Sequence, residues 1–424
     1  MKKPFLFALL VSAPLLLLQF ASCSSSPDQK PVPADTTKTA GNPTFLLLSD
    51  IHLNTFDSTC DYGDDTGIQL WKNFLAKADV VLSGPDAPSF ILYTGDLPAH
   101  YDCSSGCYLP PDQRASHNAN LRAILEGLRM LSEKHHKPLF YLPGNNDALA
   151  GDYYSFADEK QQTPLTLAPD PADPFPALNV RHDGKAPCMI ADPHPLMGYY
   201  SAEPVDGLRL IALNTIIFSP KFTTVDGSTP DSDRVQELNW LALQLKEAKA
   251  KNEKVYIAMH IPPGVDAYSG KSMWADTTLG DRFLSLTAQY RDNISGILYG
   301  HTHMDEFRRL YDRNGVMTEA AISCPGVTPQ HDNNPGFKVV AYDASDKELL
   351  DFTTYYTTPA VATWGNNSYT FYAAFGISEK KTIYEVLNAT PFQALADGMN
   401  TMFMVKHGMP SYNTARGIDV KFGQ

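Results

Sequence analysis

The sequence predicts an α/β fold, and three observations carry the prediction. Short apolar runs recur along the chain, several rich in β-branched or aromatic residues. Stretches with helical periodicity lie between some of them, and a polar motif follows each of five runs almost at once.

The five runs come in order. Thr44 to Leu48 precedes Asp50-Ile51-His52, Phe90 to Tyr93 precedes Gly95-Asp96, and Leu139 to Leu142 precedes Gly144-Asn145-Asn146-Asp147. Val255 to Met259 precedes His260-Ile261-Pro262-Pro263, and Ile294 to Tyr299 precedes Gly300-His301-Thr302-His303. Each run reads as a buried strand, so the motifs fall just beyond strand C-terminal ends, where open α/β sheets bind their ligands. Gly95, Gly144 and Gly300 are expected to let the chain leave the sheet sharply.

Asn118 to Lys134, with Leu121, Ile124, Leu128 and Leu131 in helical register, predicts an amphipathic helix. Ser232 to Lys251 predicts another through Val235, Leu238, Leu241 and Leu245, with Ser232 as N-cap and Trp240 in the core. The runs Gly336 to Asp343 and Leu349 to Tyr356 are expected to build the second sheet, and residues 378–407 to close the chain as helix. The proline-rich stretch Asp152 to Met197, with Tyr153, Tyr154, His182 and His194, and the loop Gly264 to Leu279 are expected to wall a substrate pocket.

Asp50, His52, Asp96, Asn145, His260, His301 and His303 offer carboxylate oxygen, amide oxygen and imidazole nitrogen, a mixed set suited to zinc, manganese or iron. Two divalent ions about 3.5–4 Å apart need an anionic ligand between them, and they clamp both oxygens of an in-line displacement at phosphorus. Asp96 is the expected bridge. Asp50, His52, Asp96 and His303 are assigned to one ion, and Asp96, Asn145, His260 and His301 to the other. A shared water, its pKa brought to about 7, is then the nucleophile. Any one motif alone reads equally well as a turn, a helix cap or a strand end; the ordered set does not.

With these motifs the chain resembles the calcineurin-like metallophosphoesterases, and among them the acid sphingomyelinase-like phosphodiesterases. The narrower resemblance rests on Thr94-Gly95-Asp96-Leu97-Pro98-Ala99-His100, His260-Ile261-Pro262-Pro263-Gly264, Gly300-His301-Thr302-His303-Met304-Asp305-Glu306-Phe307, Val327-Thr328-Pro329 and Asn334-Pro335-Gly336-Phe337. It implies a four-layer αββα sandwich over residues 44–360 with a mostly helical extension at 361–424. It also implies two divalent metals, often zinc, and cleavage of phosphodiester or phosphoanhydride bonds.

One position departs from the family pattern. Asn146 stands where the family carries a phosphate-contacting histidine after the metal-binding asparagine. An amide donates a hydrogen bond to a phosphoryl oxygen but is no general acid near neutral pH. His100 matches the family's second phosphate-facing histidine and is assigned the leaving-group proton, with Asn146 as donor. The Gly-Asn-Asn-Asp order also resembles relatives that cut polyphosphate, so an endopolyphosphatase or nucleotide pyrophosphatase is the alternative enzyme. A surface lipoprotein that binds phosphorylated ligands with impaired catalysis is the alternative of another class.

Lys2-Lys3, the apolar stretch Phe5 to Leu18 and Phe20-Ala21-Ser22-Cys23 describe an export signal over residues 1–23, with Cys23 as the lipidation site of a bacterial lipoprotein. Residues 24–43, rich in Ser, Pro, Thr and Lys, read as a tether with no room for a lipid-extracting domain. The expected location is the cell envelope, in the outer membrane or periplasm, with lipid as the only membrane contact. Cys60, Cys103, Cys107, Cys188 and Cys324 remain, and a disulfide involving Cys103 and Cys107, with each other or with Cys60, is the expectation for an exported chain. A formal charge of -13 gives no nucleic-acid-binding surface. It leaves small or polymeric phosphoesters as partners, because two bound cations dominate the local field.

Overall fold

The computed structural model describes residues 41–101, 108–167, 194–402 and 416–424. The segment expected to be an export signal, most of the expected tether, His182, and Cys23, Cys103, Cys107 and Cys188 lie outside the described residues.

The chain opens with β1 (Thr44–Leu48), α1 (Ile68–Leu82), β2 (Ile91–Tyr93), α2 (Pro111–His135) and β3 (Leu139–Tyr141). β4 (Tyr200–Val205), β5 (Leu208–Ala212), α3 (Pro230–Ala250), β6 (Lys254–Ala258), α4 (Thr277–Gln289) and β7 (Ile294–Tyr299) follow. Then come β8 (Phe307–Tyr311), β9 (Met317–Ser323), β10 (Gly336–Tyr342), β11 (Leu349–Tyr356) and β12 (Ser368–Thr370). α5 (Phe371–Phe375), α6 (Ile383–Ala389), α7 (Phe392–Met402) and β13 (Asp419–Val420) complete it.

Two sheets form, in the orders β12-β11-β10-β1-β2-β3 and β13-β8-β9-β7-β6-β5-β4. In the first, β1, β2 and β3 run parallel while β10 pairs antiparallel with β1. In the second, β5, β6, β7 and β9 run parallel. The sheets meet face to face, with Phe45 of β1 against Tyr256 of β6 at 5.7 Å between ring centroids. α1 and α2 cover the first sheet, and α3 and α4 the second. Strands buried on both faces read as continuous apolar runs, which is why the pattern lacks alternation.

β10 and β11 therefore do not start the second sheet, as expected from sequence; they complete the first. The second sheet instead contains β6 and β7, which precede two of the polar motifs. The C-terminal segment is not only helical, because β12 adds to the first sheet and β13 pairs with β8. α3 begins earlier than expected. Thr229 is its N-cap in a capping box with Ser232, and Pro230 takes the first turn, where its missing N–H costs nothing. Leu238, Leu241 and Leu245 of α3 are buried, as is most of Trp240, but Val235 is 51% exposed. Cys60 and Cys324 are buried free thiols.

Candidate metal centre

All five motif loops converge at the strand ends, and their backbones are unusual. Asp50, His52, Asp96, His301 and His303 have φ of 47, 45, 64, 72 and 56°. A non-glycine residue in that region costs about 1–3 kcal/mol, and such residues persist where the surroundings over-determine them. Here the loops are tied to one another. Asp50 N donates to Gly95 O at 3.0 Å, Ile51 N to Asp96 O at 3.0 Å and Gly300 N to His260 O at 3.2 Å. Of the three glycines, only Gly95 takes a left-handed φ, 97°. Gly144 and Gly300 are needed for another reason: a Cβ would collide with Asp96 at the first and with Ser49 at the second.

The side chains fall into two groups that share one member. Asp50, His52, Asp96 and His303 place ligand atoms within 4.8 Å of one another, and so do Asp96, His260 and His301. Asn145 joins the second group, its Oδ1 lying 3.1 Å from His260 Nε2. Asp96 Oδ2 sits 3.3 Å from His52 Nε2 and 3.2 Å from His260 Nε2. Pro98 O, at 3.1 Å, accepts from His52 Nδ1, and Thr94 O, at 2.7 Å, from His260 Nδ1. Both carbonyls fix the tautomer and leave Nε2 as the free donor atom. His52 Nε2 is buried with the carboxylates of Asp96 and Asp50 beside it, at 3.3 and 3.9 Å, where the three could share a metal.

The electrostatics favour cations here. Burial pushes Asp50 up to about 6. Burial would pull His52 and His260 down, yet neighbouring Asp96 overrides it and lifts both to about 9. Asp96, despite its own burial, is held well below the carboxylate range by His260 and His52. His301, buried and beside His260, drops to about 3. Carboxylates and imidazoles this desolvated and this close suit two divalent ions, with oxygen and nitrogen donors and no thiolate.

Three acidic residues support the ligands, and reading motifs alone overlooked them. Asp147 accepts from Leu97 N at 2.6 Å, Gly144 N at 2.7 Å and Tyr141 Oη at 2.8 Å, locking the second motif to the third. Asp152 accepts from Asn145 Nδ2 at 2.8 Å and so turns the amide oxygen towards His260. Asp65 accepts from the His100 backbone N at 2.8 Å and lies 2.8 Å from its Nδ1. Asp147 was visible in its motif; Asp65 sits in a loop with Asp57, Asp61 and Asp64, where nothing local distinguishes it.

His100 stacks on His52, with centroids 4.0 Å apart and planes 14° apart, and borders a cavity of about 360 Å³. Asp96, Asn145, His301 and His303 open into the same cavity, walled by Tyr153 of one expected loop and Tyr268 of the other. His194, from the longer loop, is not in that wall but packs on Tyr199 and Trp240. Asn146 lines a smaller pocket that shares His100 and Asp152 with this cavity. Its backbone N and its Nδ2 both donate to Asp96, at 2.8 and 3.0 Å, so its amide buttresses the shared carboxylate.

A model of the calcineurin-like phosphoesterases matches residues 43–305, a span that contains all seven candidate ligands. The chain belongs to the calcineurin-like phosphoesterase family. Within that family it is similar to curated phosphodiesterases. Sphingomyelinase phosphodiesterase D of Dictyostelium discoideum is 30% identical over 305 residues, 70% of this chain and 61% of that one. The human cyclic GMP-AMP phosphodiesterase SMPDL3A is 25% identical over 304 residues, 70% of this chain and 62% of its own. Human sphingomyelin phosphodiesterase is 33% identical over 165 residues, 37% of this chain and 24% of its own. The match thus spans about three fifths of the length of the Dictyostelium and human SMPDL3A relatives. In this calcineurin-like phosphoesterase, the matched region ends at Asp305, just after the last motif.

Proposed function

We propose that this chain is a two-metal hydrolase of phosphodiester or phosphoanhydride bonds, with zinc the foremost candidate and manganese or iron the others. The observation that carries the reading is the place of Asp96, the one carboxylate common to two ligand groups. A bound cation pair supplies an activated water and neutralises charge at phosphorus. The chain's own residues do the rest. Asp50, His52, Asp96 and His303 would hold one ion, and Asp96, Asn145, His260 and His301 the other. His100, partly exposed, held through Nδ1 by Asp65 and bordering the cavity, gives a proton to the leaving oxygen. Asn146 steadies Asp96 through two hydrogen bonds.

The sphingomyelinase-like names of the relatives support the phosphodiester reading. Polyphosphate or a nucleotide pyrophosphate is the second reading, favoured by Asn146 in place of histidine. Export with a lipid on Cys23 is likewise proposed, supported by the order of basic, apolar and small residues before that cysteine.

The test uses protein lacking residues 1–23, with metal content measured and a panel of sphingomyelin, nucleoside triphosphates, long-chain polyphosphate and aryl phosphodiesters. Wild type binds two metals and turns over at least one of them, while Asp96→Asn loses metal and activity. Two bound metals with no turnover would favour a phospho-ligand-binding surface protein. Full activity in Asp96→Asn sinks the site assignment.

A further inference from the structure

Lys221 stands in the wall of the candidate catalytic cavity without a salt bridge to any described carboxylate. Among the described residues it is the only lysine or arginine that lines the cavity. Its ammonium lies 4.5 Å over the Tyr153 ring and 3.5 Å from the Tyr153 hydroxyl. Among the described residues no carboxylate oxygen comes within 4.0 Å of it. The two acids that share the wall and do not ligate metal are engaged elsewhere. Asp152 accepts from Asn145, and Asp266 accepts from the backbone N–H groups of Tyr268 and Ser269 and from the Ser269 hydroxyl.

The position is built. Tyr153 has a φ of 62° and is buried. Its N–H donates to Asn145 O at 2.8 Å, and its carbonyl accepts from Thr223 N at 3.0 Å. That residue therefore joins the loop of a metal ligand to the loop that carries Lys221. The same ring meets His301 edge to face, with centroids 6.5 Å apart. The ammonium and a candidate metal ligand both border one tyrosine, and the strained backbone of that tyrosine sets the spacing between them.

We infer that Lys221 anchors a second anionic group beside the scissile phosphoryl. The site then selects phosphoanhydrides and polyphosphate-like substrates over diesters whose other arm is neutral or cationic. In a chain of formal charge -13, a further phosphate meets repulsion in most directions and attraction at this one. A quaternary ammonium headgroup meets a like charge there. This inference rests on the two-metal reading above and narrows its substrate class.

The test measures binding rather than turnover. The zinc-loaded full chain is titrated calorimetrically with methylenediphosphonate and with methylphosphonate, which differ by one phosphonate group. Metal content is checked after each titration. Wild type is expected to prefer the diphosphonate by about 10-fold or more, as a paired charge at a partly desolvated site provides. Lys221→Gln should reduce that preference to about 3-fold or less, and Lys221→Arg should keep it. Equal loss for both ligands in Lys221→Gln, or no loss for either, overturns the anchor. The two readings fail separately. Diphosphonate preference without hydrolysis of any phosphoester removes the catalytic reading and leaves the anchor. Hydrolysis with an indifferent Lys221→Gln does the reverse.

Discussion

His100 is one imidazole with two duties that its neighbours divide between them. Asp65 takes one ring nitrogen, at 2.8 Å, and the face of the ring rests on His52. The residue so held borders the cavity. His100→Ala should lower kcat about 10²–10⁴-fold with metal content intact, and the loss should be largest for substrates with poor leaving groups. Rates on an alkyl and a nitrophenyl diester, compared in the same preparation, check this; an equal loss on both would remove the acid role. The seven candidate ligands were legible in sequence because each follows a strand-like run in a short polar motif. Asp65 was not, since its relation to His100 is made across 35 residues by the fold. Gly144 was expected to let the chain leave the sheet sharply; what requires glycine there is room for Asp96, since its φ is not left-handed.

At the scale of elements, the strand runs were legible because burial on both faces leaves an unbroken apolar signature. Which sheet each strand joins was not, because pairing of β10 with β1 depends on partners nearly 300 residues apart. Helix α2 shows how an element serves a loop. His117, on its buried face, lies with Nε2 3.1 Å from the carbonyl of Asn146, and burial pulls its pKa from 6.5 to about 4. A histidine depressed in the folded state contributes stability that is present above its unfolded value, near 6.5. That stability is lost as pH falls towards the folded value. Between pH 7 and pH 5 the native state should lose about 2 kcal/mol through this residue. Urea midpoints at the two pH values should differ by less in His117→Gln than in wild type. An equal pH slope in both proteins would show that His117 titrates no differently when unfolded.

On the scale of the whole molecule, each candidate ion site draws on both sheets. Asp50, His52, Asp96 and Asn145 follow strands of the first sheet, and His260, His301 and His303 follow strands of the second. A cation held by both would rivet the sandwich at its catalytic end, and its binding energy would add to folding energy. Removing metal with a chelator should lower Tm by about 5 °C or more, and re-addition of zinc should restore it. An unchanged Tm in protein shown to have lost its metal would mean the sheets need no such rivet. A second tie lies near the last motif. Lys338 of β10 pairs with buried Asp305, next but one to His303, which also accepts from Thr354 at 2.6 Å.

The order of strands in the first sheet also has a bearing on how the chain folds. β1 is flanked by β2, which follows it closely, and by β10, which arrives only after strands β4 to β9 of the second sheet have been made. Until then one edge of β1 is an open row of N–H and C=O groups on a strand that is apolar from Phe45 to Leu48. That arrangement makes for slow, high-contact-order folding and for an intermediate prone to pair with other chains. A nascent chain carrying the five motifs would already possess every candidate metal ligand, yet half of the sheet that positions four of them would still be missing.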